Sequence, residues 1–251
     1  MSWQLLSASV AGSSHLRTQL PCQDAHCLAS LAGGEMLCAV ADGLGSAALS
    51  DQGAQLAVQV ALDSLTTTLQ MGLPESETER ETAMRSAFAS ARNSLQEKAT
   101  AANQPLRDYA TTLIVAVLSK GWLGVAHLGD GAVVAHFENE PLCTISPPMR
   151  GEYANETMPL TSPDALASVR YQARSGNMLG VSIFSDGLQN LCLDAATGEP
   201  YEPFFAPLFA QLAQPIEPES ARQSLIDFLQ SERVCKRSDD DKTLVLLRRC
   251  E

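Results

Sequence analysis

The chain has few aromatic residues, 5% of 251, few positive charges, and no cysteines in CxxC spacing. Each shortage excludes something. The seven cysteines are an odd number scattered along the chain, so neither a disulfide framework nor a zinc ribbon is expected. Reduced thiols suit a cytoplasmic protein. Lys and Arg number 17 against 29 Asp and Glu, a net charge of -12, with no basic cluster. Nucleic-acid binding needs clustered cations to neutralise phosphates, and an anionic membrane surface calls for a basic amphipathic helix. The sequence therefore predicts no nucleic-acid partner and no membrane association. It has no run of about 18 apolar residues that would span a bilayer. The opening stretch MSWQLLSASV also lacks the basic region of a secretory leader. Hydrophobic residues make up 45% of the chain, enough for a substantial core, which must be rich in Ala, Leu and Val.

What is present is a succession of short apolar runs broken by glycine and aspartate. Trp3 to Val10 reads as a strand. Ala25 to Leu31 and Glu35 to Ala41 read as a hairpin around Gly33-Gly34, since paired glycines tolerate positive φ. Ala54, Ala57, Val58, Ala61 and Leu65 form a helical stripe, and a second helix is expected from Glu79 to Ala101. Tyr109 to Leu118, Trp122 to Leu128 and Ala132 to Phe137 are β-like, and their short turns predict an antiparallel meander. Residues 141–163 read as an irregular loop or flap. Strands are expected at Ala167 to Gln172, Met178 to Phe184 and Thr243 to Leu247, and helices at Tyr201 to Leu212 and Pro218 to Glu232. Strands and helices come in blocks without a linker or repeat. Residues 1–251 are therefore expected to form one α+β domain, mainly antiparallel sheet covered by helices.

Three strands run directly into Asp-Gly, at Asp42, Asp130 and Asp186. A fourth acidic group, Ser238-Asp239-Asp240-Asp241, leads into the strand TLVLL, and Gln23-Asp24 precedes the first hairpin. A single Asp-Gly is ordinarily a turn. Several at strand ends can converge on one sheet edge, where glycine lets backbone carbonyls approach an ion. Such an all-oxygen site suits Mg²⁺ or Mn²⁺ rather than Zn²⁺. Two such ions about 3.5–4 Å apart can activate a water and clamp a phosphoryl group.

The ordered set CQDAH (Cys22 to His26), VADGLGS (Val40 to Ser46), YATTL (Tyr109 to Leu113), HLGDG (His127 to Gly131), FSDGL (Phe184 to Leu188) and DDKTLVLL (Asp240 to Leu247) resembles the PPM, or PP2C-type, metal-dependent Ser/Thr phosphatases. The string GEYANET resembles a segment that bacterial members carry between the third and fourth motifs. The resemblance implies a four-layer αββα sandwich. It implies that Asp42 bridges two metals, that the carbonyl of Gly43 binds one of them, and that Asp186 and Asp240 complete the first metal's ligands. Asp130 would join Asp186 at a third metal, and Asp24 would act through metal-bound water. The implied cofactors are two or three Mn²⁺ or Mg²⁺ ions. The implied reaction is direct attack of a metal-activated water on phosphoserine or phosphothreonine in a protein, with Asp24, Asp42 and Asp186 in the catalytic set. The implied partner is a phosphorylated protein, a cognate Ser/Thr kinase or that kinase's target. The family's usual GDS-Arg string is Gly129-Asp130-Gly131-Ala132 here, and its GTT is Ala110-Thr111-Thr112. The phosphate-binding arginine has one candidate, Arg17, six residues before Gln23.

The remaining residues have plain readings beside functional ones. His15 and His26 are structural or protonate a leaving alcohol, His127 is packed, and Thr111 and Thr112 can hydrogen-bond near the site. No Cys-x5-Arg cradle is present, which excludes a cysteine phosphatase. Two other readings stay open: a catalytically weak or inactive phosphoprotein-binding module of the same fold, and a small-molecule phosphohydrolase.

Overall fold

The computed structural model describes residues 2–149, 157–215 and 217–250. They build two five-stranded sheets. The first sheet joins β1 (Trp3–Val10), β10 (Lys242–Arg249), β9 (Met178–Phe184), β6 (Ala132–Phe137) and β7 (Cys143–Ser146), in that order. The second joins β2 (Asp24–Ser30), β3 (Met36–Asp42), β4 (Leu113–Ser119), β5 (Trp122–Leu128) and β8 (Arg170–Ser175). Every pairing is antiparallel.

Strand alternation explains the layering. Along β3, Leu37, Ala39 and Ala41 point to one side, into a core shared with the helices α2 (Ser50–Gln70) and α3 (Glu77–Ala101). Met36, Cys38 and Val40 point to the other side, into a core between the sheets, where they meet Val181, Ile183, Val245 and Leu247. On β10 the partners Leu244 and Leu246 face outward, toward α6 (Glu202–Gln211) and α7 (Pro218–Leu229). The order is helix, sheet, sheet, helix. Strands buried on both faces read as unbroken apolar runs, as Met36 to Ala41 of β3 and Leu244 to Leu247 of β10 do here. Each fully buried Leu or Val in these layers contributes roughly 1.5–3 kcal/mol. The α2 stripe is small (Ala54, Ala57 and Ala61 are fully buried), so the helix lies close on its sheet without aromatic filling.

The expected elements appear, most within a few residues. The helix predicted from Glu79 begins at Glu77, because Ser76 caps it and Glu79 returns the bond to the Ser76 backbone. Leu106–Tyr109 is a 3-10 helix, so the strand predicted from Tyr109 starts only at Leu113. Residues 141–163 hold a strand, β7, that the prolines around it obscure. The string GEYANET lies outside the described residues except for Thr157.

One expectation is corrected. The three central runs do not form a meander. β4 and β5 pair in the second sheet, whereas β6 pairs with β9 and β7 in the first. The chain changes sheets at Gly129-Asp130-Gly131. Gly129 has φ +126°, and a Cβ there would stand 2.5 Å from the Thr112 side chain. Only glycine makes this turn at no cost. Asp130 is thereby held at the crossing between the sheets.

Candidate metal centre

The acidic turns meet at one end of the two sheets. Asp42 ends β3, and Asp24 begins β2 directly opposite it in the antiparallel register. Asp130 stands on the crossing turn, and Asp186 follows β9 at the start of the short 3-10 helix Asp186–Leu188. One carboxylate oxygen each from Asp42, Asp130 and Asp186 lies within 4.8 Å of the others. These side chains line a cavity of about 170 Å³ that also receives His15, Gln23, Gly43, Thr112, Thr157, Asp240 and Asp241. Among the described residues, neither Lys nor Arg lines it.

Neighbouring residues hold this arrangement. The Asp42 amide donates to Thr112 Oγ1 at 2.9 Å, and the Asp42 carbonyl accepts from the Thr112 amide (2.8 Å) and from Thr111 Oγ1 (3.0 Å). The two threonines thus clamp the backbone on either side of the Asp42 carboxylate. The Gly43 amide donates to the Gln23 carbonyl at 3.1 Å. A Cβ at Gly43 would come within 2.7 Å of the Ser50 carbonyl and 2.8 Å of the Gln23 carbonyl, so the position takes no side chain. Thr157 Oγ1 donates to the Asp130 carboxylate, and Gln189 Nε2 donates to the Asp130 carbonyl. Ser185 Oγ donates to Asp24 at 2.6 Å and accepts the Thr243 amide at 2.9 Å.

The electrostatics favour a positive charge among these carboxylates. Loss of solvation pushes the Asp42 carboxyl well above its ordinary range, and the charges of Asp24 and Asp186 add to it. Asp186 is pushed up to about 6, first by burial and further by Asp130 and Asp240, against a hydrogen bond to Asp42 that lowers it. Burial raises Asp24 to about 7 despite the Ser185 and Thr243 hydrogen bonds. Burial raises Asp130 as well. Like carboxylates packed this closely ionise together only with a cation among them. Two buried oxygens, Gln23 Oε1 and Asp24 Oδ1, have no hydrogen-bond partner. An all-oxygen set with unsatisfied acceptors fits a hard divalent ion, Mg²⁺ or Mn²⁺ in type.

The sequence-predicted residues are not equally placed. Asp42, Gly43, Asp130, Asp186 and Asp240 all line the cavity. Asp240 is exposed at its edge, outside the tight group of three. Asp24 is buried behind the cavity, bonded to Ser185 and not among the lining residues. Arg17 lies on the exposed surface of α1 (Ser13–Thr18), its guanidinium 3.4 Å from Asp239, and it does not line the cavity. His26 bonds Ser9 Oγ at 2.8 Å away from the cavity, and His127 is buried against Ser146.

Asp241 has a larger part than its sequence gave reason to expect. It is buried, and it accepts the Gly12 amide (2.6 Å), the Gln23 amide (2.5 Å) and His15 Nδ1 (2.9 Å). These bonds tie the N-terminal segment to β10 and set His15 in the wall of the cavity. Thr157 and Ser185 lie inside the GEYANET and FSDGL strings with no role assigned to them there, and Gln189 lies in none, because each acts on an aspartate distant in the chain.

Sheets stacked between helices, with an oxygen-only cluster at one end, define the class, and the chain belongs to the protein phosphatase 2C family, whose profile matches residues 11–230. Among particular proteins, it is 35% identical over 262 aligned residues to serine/threonine-protein phosphatase 3 of Escherichia coli (strain K12), covering 98% of each chain. Its fold is similar to that of PppA, a regulatory component of the T6SS in Pseudomonas aeruginosa, with TM-score 0.65, 18% identity and coverage of 99% and 98%. It is also similar to the catalytic domain of the serine/threonine protein phosphatase PstP in complex with two manganese ions, with TM-score 0.61, 18% identity and 99% coverage of each.

Proposed function

We propose that this chain is a divalent-metal-dependent protein phosphatase that hydrolyses phosphoserine and phosphothreonine in proteins, using Mn²⁺ or Mg²⁺. One observation carries the reading: three carboxylate oxygens within 4.8 Å of one another, in a cavity that among the described residues has no Lys or Arg. A phosphate dianion cannot enter such a cavity without cations to receive it. Asp42, the Gly43 carbonyl, Asp130, Asp186 and Asp240 are the residues to hold those ions, two or three in number. When bound, the metal supplies an activated water and a clamp for the phosphoryl oxygens.

The chain's own groups supply the rest. Thr111 and Thr112 fix the Asp42 backbone, so its carboxylate is positioned before any ion arrives. Asp24, on the strand beside it, accepts from Ser185 and keeps a second oxygen, Oδ1, without a partner, suited to accepting from a water. His15 donates Nδ1–H to Asp241, which leaves Nε2 as the second proton site of the ring. His15 is thus suited to pass a proton to the departing serine or threonine oxygen. Arg17, two residues along from His15 and at the surface, is suited to the flank of a phosphoprotein more than to its phosphate. The intact carboxylate set argues against a module that only binds phosphoprotein.

The test is turnover of a phosphothreonine peptide and of p-nitrophenyl phosphate with added Mn²⁺. Asp42→Asn and Asp186→Asn are expected to abolish both, as is excess EDTA. Full turnover in both variants would refute the mechanism. Tight phosphopeptide binding by the wild type without turnover would favour the binding-module reading instead.

A further inference from the structure

On the opposite side of the first sheet, a cavity of about 300 Å³ opens between α6, α7 and α8 (Glu232–Cys235), with Leu6 of β1 beneath it. It shares no lining residue with the acidic cavity. Its size is at the lower end of the range for small-molecule sites, roughly 300–1,000 Å³. Its floor is apolar, with Leu6, Leu191, Phe204 and Leu225 buried there, and its exposed side carries the polar groups of Tyr201, Gln211 and Ser224. Arg233 and Arg237 also line it.

The arginines argue that this space is more than loose packing. They stand four residues apart, one helical turn, and so on one face of α8 and its continuation, where the Arg237 amide bonds the Val234 carbonyl. Lys236 on the same segment pairs with Glu232 at 2.6 Å. Among the described residues, neither arginine forms an ion pair. In a chain with 17 cationic residues against 29 acidic ones, two exposed, unpaired guanidinium groups beside one apolar-floored cavity are a marked concentration. Like charges at this spacing repel, and an anion between them removes the repulsion. The planar guanidinium fork matches a carboxylate in two-point contact.

We propose that this cavity is a binding site for a small anionic amphiphile: a single apolar chain of medium length, seated on Leu6, Phe204 and Leu225, whose carboxylate is held by Arg233 and Arg237. A cavity of this volume, partly open between three helices, suits a flexible chain rather than a helix of a protein partner.

Calorimetric titration of the whole protein with decanoate, below its micelle-forming concentration, tests the proposal, with decanol as the neutral comparison. Wild type is expected to bind decanoate saturably at one site. Replacing both arginines (R233A with R237A) is expected to weaken decanoate at least tenfold and leave decanol unchanged. Leu225→Trp, which fills the cavity, is expected to abolish binding of both. Ser224→Phe fills it from the solvent side and serves if Leu225→Trp does not fold; unchanged metal-dependent turnover identifies the folded variants. Absence of saturable decanoate binding to wild type overturns the proposal. So does wild-type affinity in the filled variants. An acidic peptide that binds this face while decanoate does not would assign the surface to a protein partner and overturn it equally.

Discussion

His15 and Asp241, separated by 226 residues in the chain, meet at 2.9 Å in the wall of the acidic cavity. The same carboxylate takes the amides of Gly12 and Gln23. It therefore serves as a fastener for the N-terminal segment and as the support of an imidazole.

Asp241→Ala is expected to leave two buried amide donors unsatisfied and the imidazole unsupported. A loss of about 3 kcal/mol follows from the charge-assisted bonds removed. Urea denaturation measures it. An unchanged midpoint would show that the Gly12 and Gln23 amides find other acceptors.

His15→Asn separates proton donation from metal binding. Turnover of a phosphothreonine peptide is expected to fall about 100-fold. Turnover of p-nitrophenyl phosphate, whose leaving group departs without a proton, is expected to fall far less. Equal losses on the two substrates would give His15 a structural role only.

Removing the cation should alter how stability depends on pH. Asp186 and Asp24 are raised to about 6 and about 7 in the folded chain, above ordinary carboxylates. Between about pH 4 and 7 the folded state then binds more protons than the unfolded one, so stability falls as pH rises. The EDTA-treated protein is accordingly expected to melt at lower temperature at pH 8 than at pH 5. Mn²⁺ at 100 times its Kd should restore about 2.7 kcal/mol at pH 8. Asp42→Asn with Asp186→Asn should lose that restoration. Melting curves at two pH values, with and without metal, decide it.

Gly129→Ala is expected to cost at least about 2 kcal/mol, because the residue sits at φ +126° and its new Cβ would collide with Thr112. Thr112 clamps Asp42, so turnover should fall further than stability alone explains. Thermal melts and phosphatase assays on one preparation check both. Wild-type values for both would mean that the crossing turn relaxes freely.

Much of this site was legible because its carboxylates stand at strand ends beside glycine. Asp42, Asp130 and Asp186 stand out as strand-terminal Asp-Gly pairs, Asp240 only through the family resemblance, and the four line one cavity. The strand runs were legible too, since both faces of each central strand are buried and the apolar pattern is unbroken. The partition of strands between sheets was not. β5 and β6 are three residues apart, the usual mark of a hairpin, yet Gly129 sends the chain into the other sheet. Pairing is decided by long-range burial, which short turns do not encode. Asp241 was unreadable for a similar reason: among consecutive aspartates, only the folded chain tells which one turns inward to the Gly12 and Gln23 amides. Arg17 looked like a phosphate ligand by position. α1 is followed by Gln19 in a left-handed conformation, and the arginine pairs with Asp239 at the surface.

The crossing at Gly129 has a mechanical consequence. Asp42 belongs to one sheet, Asp186 and Asp240 adjoin the other, and Asp130 rides on the strap between them. Divalent ions held among these residues would act as rivets through both plates of the sandwich. Without them, the clustered carboxylates would press the plates apart at that end, while the apolar interior holds them together along the rest of their length. The open end of the sandwich is where hydrogen exchange should quicken first when the ions leave.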